Sequence, residues 1–191
     1  DFSWQNDLAL GDRQVVTLGV DYREERVSGT TDYDETRREN TAVFGQWQWM
    51  GERTDASISA RHDDNEAFGE ETTGTLALGY RFAETARVFG SLGTGFKAPT
   101  FNDLYFPDSP FFSSNPDLDP ETSRTLELGV KGGTGDSRWS LSSYRTEIDH
   151  IIVFDSANAT VNNLDTARIT GIELSGRTVH AGWELRASAT L

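Results

Sequence analysis

The chain has 191 residues, 31 acidic against 17 basic side chains for a formal net charge of -14, and no cysteine. A mean hydropathy of -0.54, with no run approaching the ~20 apolar residues of a membrane helix, excludes a helical membrane protein. The acidic excess argues against a nucleic-acid partner, which needs a basic face, and the missing cysteines exclude a disulfide scaffold or a thiolate metal site.

Helix signals are nearly missing and apolar residues recur with period two, so the chain reads as an all-β protein of about ten strands. The first runs from near Phe2 to Leu10, and the second sets Val16, Leu18, Val20 and Tyr22 against Thr17, Gly19, Asp21 and Arg23. A loop from Arg26 to Asn40 leads to a strand over Thr41 to Trp49, a tight turn at Met50 to Arg53, and a strand through Ala56, Ile58 and Ala60. An acidic loop at 63–71 follows, then alternation through Leu76 to Phe82, a turn at 83–85, and alternation through Val88 to Phe96. The stretch 98–121 is a long proline-rich and aromatic excursion. Beyond it come Leu126 to Val130, a turn at 132–137, and a strand from Trp139 to about Thr146, with Ile148 to Phe154 either extending it or joining the next loop. The last pair runs from about Ala167 through Leu174, turns at 179–182, and leaves on Trp183, Leu185, Ala187 and Ala189.

Connections thus alternate between short and long, the pattern of an antiparallel up-and-down transmembrane β-barrel with tight periplasmic turns and generous outer loops. Trp47, Trp49, Tyr80, Phe82, Trp139 and Trp183 all lie near short turns, as an interfacial aromatic belt requires. Arg81, Arg87, Glu127, Lys131, Arg145, Glu173, Glu184 and Arg186 are expected on the opposite, polar face. A soluble sandwich shares the alternation, so a carbohydrate-binding β-sandwich stays as an alternative; it predicts no membrane-facing belt.

The stretch Gly93-Thr94-Gly95-Phe96-Lys97-Ala98-Pro99, followed by Asn115-Pro116-Asp117-Leu118-Asp119-Pro120-Glu121, resembles the signature of TonB-dependent outer-membrane receptors before and inside a large extracellular loop. Tyr80-Arg81-Phe82, Trp139 to Arg145, and Asn163 through Ala167-Arg168-Ile169-Thr170-Gly171-Ile172-Glu173 extend the likeness to the middle and late barrel of the cobalamin-type members. The resemblance implies a barrel of about 22 strands holding a plug and driven by TonB from the cell outer membrane of a Gram-negative bacterium. Residues 1–191 then form a partial barrel domain, with plug, TonB-contacting part and last strands lying outside it. It also implies a scarce metal chelate as ligand, cobalamin first and a ferric siderophore or haem next, no catalysis, and Gly95, Lys97, Pro99, Asn115, Pro116, Leu118, Pro120 and Glu121 as structural motif residues. Outer-membrane lipid is the expected surroundings, and open sheet edges are expected to make the isolated piece self-associate.

Tyr105, Phe106, Phe111 and Phe112 are rings in the long loop, able to contact a flat macrocyclic ligand or to pack the loop on itself. No cofactor is implied, but Asp63, Asp64 and Glu66 carry the carboxylate chemistry of a calcium site or of a plain solvated loop. An omptin-like outer-membrane protease is a further alternative, with Asp63-Asp64 facing Asp149-His150 and His62 nearby. Adjacency counts against it, since neighbouring strand residues point to opposite faces.

Overall fold

The structure, a computed structural model, describes residues 1–191 apart from the side chains of Leu164 and Asp165. It contains ten strands, β1 (Phe2–Ala9), β2 (Gln14–Arg26), β3 (Arg37–Met50), β4 (Thr54–Asn65), β5 (Gly69–Ala83), β6 (Ala86–Lys97), β7 (Glu121–Thr134), β8 (Ser137–Asp155), β9 (Thr160–His180) and β10 (Trp183–Thr190). They form one antiparallel sheet in which each strand pairs with its sequence neighbours, so β1 and β10 are edges and the barrel is not closed. One short helix, α1 (Phe101–Tyr105), interrupts the connection between β6 and β7.

Register converts the period-two pattern into two faces. Val16, Trp47, Ile58, Leu76, Leu92 and Leu126 stand opposite one another across β2 to β7 as a single row. Ile58, Leu76, Leu92 and Leu126 are about half-exposed, because no second layer covers them among the described residues. That arrangement removes the sandwich, whose apolar rows would be buried. So large an apolar surface on one sheet calls for a non-aqueous neighbour. Trp47, Trp49, Tyr80, Phe82, Trp139 and Trp183 all fall on this apolar face toward the short turns, as the register of β3, β5, β8 and β10 requires.

The polar face is closely built. Gly19 and Gly129 lie beneath the rings of Phe44 and Phe89, and a Cβ at either glycine would collide with the ring over it. Aromatic side chains lying flat over glycines on the next strand let the sheet keep its curvature without leaving holes.

Three expectations from sequence are corrected. The acidic stretch 63–71 is strand rather than loop: β4 and β5 pair through Asp63 with Glu71 and Asp64 with Glu70, leaving only a turn at 66–68. Of the two readings of Ile148 to Phe154 the structure takes the strand extension, so the 147–166 region is a projecting hairpin too, with β8 and β9 paired out to Asp155 and Thr160 around a turn at 156–159. Neither extension alternates apolar and polar residues, and the β8–β9 ribbon packs Ile152 and Val161 against Leu104 and Leu118 of the long connection. Strict alternation of short and long connections therefore fails, and 27–36 and 98–120 are the two long ones. Thirdly, Arg145 stands opposite Leu126 and Thr170, which places it on the apolar face and not the polar one.

Buried apolar residues are few among the described residues, and apart from Ala42 on β3 they lie together at the long-connection end. Leu104, Leu118 and Val161 form a cluster on which Ala67, Tyr105, Phe112 and Ile152 pack.

Candidate functional site

The long connection is held down by the motif residues themselves. Lys97 and Glu121 are register partners at its two ends, and Lys97 Nζ donates to Glu121 Oε1 at 3.1 Å. The same oxygen accepts from the Ile152 amide at 3.0 Å, tying the loop's return to the β8 extension. Pro99 is fully buried. Thr100 caps α1 in a reciprocal box with Asp103, a Thr-x-x-Asp pattern present in the sequence whose helix the strand reading passed over. Asn115 bonds its own turn by accepting from the Asp117 amide at 3.0 Å and donates to the Val161 carbonyl at 3.1 Å. Asn163 answers from β9, accepting from the Asp119 amide and donating to the Asp119 and His150 carbonyls. Pro120 and Leu118 are buried between these ties, while Pro116 stays exposed and Gly95 lies beside Ser123 on the next strand.

Arg38 is the residue that sequence reasoning missed. Its side chain, although charged and close to the acidic stretch 32–35, is only 10% exposed. Its Nε donates to Glu25 Oε2 at 2.6 Å and its Nη1 to the Pro99 carbonyl at 2.7 Å, with the Phe101 ring 4.8 Å from the guanidinium carbon. No local pattern marks it, because the groups that bury it come from 61 positions along the chain.

Tyr33, Phe106, Phe112 and Phe154 form a chain of ring contacts, edge-on between Tyr33 and Phe106 and between Phe106 and Phe112, and stacked between Phe112 and Phe154. Tyr105 packs on the buried cluster, and burial, with Glu35 second, raises its phenol above the ordinary value. Phe111 alone of the four candidate rings projects, at 84% exposed.

Asp63 is buried, accepts from Arg61 at 2.8 Å and from Asn40 Nδ2 at 2.9 Å, and so neutralises a guanidinium that also bridges to Asp21. Asp64 points to the other face, opposite Thr41 and Glu70, and Glu66 sits in the turn. Among the described residues no three His, Cys, Asp or Glu side chains converge to hold a metal. The protease constellation is not assembled either. Asp63 and Asp64 are on β4 and Asp149 and His150 on β8, four strand spacings of ~4.8 Å apart, or about 19 Å. His62 instead faces the apolar side and bonds Thr72 Oγ1 at 2.8 Å.

The short-turn end of the polar face differs in charge from this region. A hollow of about 1000 Å³ there is lined by Arg81, Arg87, Lys131, Arg138, Arg177 and Arg186, with Glu84 beside them. Arg177 and Arg186 share Glu184, and Arg87 bonds Asp55 at 2.6 Å, while its Nε is a buried nitrogen without a partner.

Residues 1–191 match the family described as TonB dependent receptor-like, beta-barrel. The chain is 38% identical over 188 residues to a vitamin B12 transporter BtuB of Photobacterium profundum, a match covering 91% of this chain and 29% of that protein. It is 36% identical over 180 residues to a vitamin B12 transporter BtuB of Vibrio vulnificus, covering 90% of this chain and again 29% of the relative. The chain thus spans less than a third of the length of these relatives. The crystal structure of the siderophore receptor PirA from Pseudomonas aeruginosa superposes with a TM-score of 0.84 at 21% identity, over 99% of this chain and 39% of that one. At that identity the likeness speaks for the fold.

Proposed function

The chain belongs to the TonB-dependent receptor-like β-barrel family, and from that premise we propose that it forms part of the wall and outer mouth of a receptor that takes up cobalamin. It is a protein of the Gram-negative outer membrane. The family is one of receptors and transporters, not enzymes. Uptake would depend on TonB acting through parts of the protein other than this wall, and further strands would pair with the free edges of β1 and β10. Left unpaired, those edges would drive the isolated piece to self-associate.

The observation that carries cobalamin is identity of 38% and 36%, over most of this chain, to two proteins named vitamin B12 transporters. Fold likeness to siderophore receptors supports a ferric siderophore as the second reading. Equilibrium binding of cyanocobalamin to the full-length receptor, with ferric siderophores as competitors, tests the choice. Saturable cobalamin binding unaffected by siderophore is expected; siderophore binding without cobalamin binding would reverse it.

Within this reading Phe111 is the ring free to meet the ligand, and Phe112 holds the loop that presents it. Phe111→Ala is expected to weaken cobalamin binding about tenfold with no change in stability. Phe112→Ala is expected to loosen the loop by about 2–3 kcal/mol, seen as faster amide exchange over 100–118. Equal effects on binding and exchange from both substitutions would contradict that division of roles.

A further inference from the structure

Three arginines stand on the apolar face of β7, β8 and β9. Arg145 lies opposite Leu126 and Thr170, and one alternate position nearer the long connections Arg124 faces Glu147, which faces Arg168. They share the face of Leu128, Ile172 and Leu174, not the polar face. Glu147 accepts from Arg145 and, at 3.1 Å, from Arg168 Nη2, and those arginine side chains are 52% and 62% exposed. Arg124 is exposed and joins no ion pair among the described residues. Asp149, opposite Thr122 and Thr166, is the next acid outward on this face. Three guanidinium groups against two carboxylates leave a positive excess in a chain of net charge -14.

Their height on the wall gives this charge a partner. Trp139, in the aromatic belt at the short-turn end, and Glu147 are on the same strand and face. The intervening length of about 8 residues, rising ~3.3 Å each at a tilt of ~40°, climbs about 20 Å. A snorkelling arginine reaches about 5 Å further, to the top of an apolar band about 25 Å tall. Arg124 and Arg168, level with Glu147, therefore place their guanidinium groups at headgroup level in the outer leaflet, whose bulk lipid is a phosphorylated glycolipid, and Arg145, one alternate position below, reaches up to Glu147. Planar guanidinium forks match phosphate bidentately, and Glu147 holds two of them side by side.

We propose that Arg124, Arg145 and Arg168 form a docking site for the phosphate groups of lipid A on the outer wall. The proposal rests on the barrel standing in the outer membrane, as described above, and not on which ligand it carries. The test is native mass spectrometry of the full-length receptor with bisphosphorylated lipid A, dephosphorylated lipid A, and inorganic phosphate as competitor. The wild type is expected to retain the bisphosphorylated form over the dephosphorylated one. The triple variant R124Q/R145Q/R168Q is expected to lose about a hundredfold of that retention, at roughly fivefold per arginine. Arg124→Gln alone breaks no ion pair and keeps the test valid if the triple variant folds poorly; about fivefold is expected from it. Equal retention of both lipids, equal retention by variant and wild type, or displacement by inorganic phosphate alone would overturn the site. Cyanocobalamin binding measured on the same samples separates the two readings: its failure with lipid retention intact would reject the cobalamin assignment and leave the lipid site standing.

Discussion

Leu128→Arg in the full-length receptor is expected to lower the stability of the folded barrel in lipid by about 2–4 kcal/mol. Leu128 is 59% exposed, lies opposite Gly90 and Ser143, and touches no second layer. On a sheet facing water, such a change at an exposed position alters stability by no more than about 0.5 kcal/mol. In hydrocarbon the same guanidinium loses its hydration near mid-depth, and the penalty follows depth rather than exposure. Thr41→Arg supplies the comparison, since Thr41 is on the same face, toward the long connections, opposite Tyr22 and Asp64. Near the interface, with a carboxylate across from it, about 0–1 kcal/mol is expected. Urea titration of the receptor in lipid vesicles, read by the gel migration of folded against unfolded barrel, gives both numbers. Equal small effects would mean that hydrocarbon does not bathe this face.

The second large effect belongs to Arg38. Arg38→Met keeps most of the side-chain volume but strands the buried Pro99 carbonyl and removes the partner of Glu25. Leaving the buried Pro99 carbonyl without its charged donor costs about 1–3 kcal/mol, and loss of the ion pair to the partly exposed Glu25 adds up to about 1 kcal/mol. Because Arg38 touches the loop at Pro99 and Phe101, the loss is expected in the segment 98–120 while the sheet keeps its stability. Amide exchange over α1 should accelerate at least a hundredfold, about 2.7 kcal/mol of local opening, and protease should nick the loop in otherwise folded receptor. Arg38→Lys retains charge but not the fork that serves both acceptors, so it should rescue only in part. Unchanged exchange at 100–105 in Arg38→Met would show that the clamp holds nothing.

Strand number, strand order and the apolar face are local properties of this chain. Val16 to Tyr22, Leu76 to Phe82 and Leu126 to Val130 alternate strictly, and the tight turns between strands carry glycines or small polar residues, so their assignment needs no distant partner. The motif from Asn115 to Glu121 is equally plain as a loop returning to a strand. The projecting hairpins are not, because Asp63 to Glu71 and Glu147 to Thr166 have polar residues on both faces and no hydrophobic period to read.

The amino-acid sequence by itself determined an antiparallel meander with one face fit for lipid, since alternation and turn chemistry act over a few residues. Only the tertiary structure decided that Arg38 lies buried beneath Pro99, that Tyr105, Phe106 and Phe112 pack inward while Phe111 projects, and that Arg145 joins the outer wall. Each of those depends on which strands end up side by side and in what register. Pairing over tens of residues sets that register, and it leaves no periodic mark on the chain.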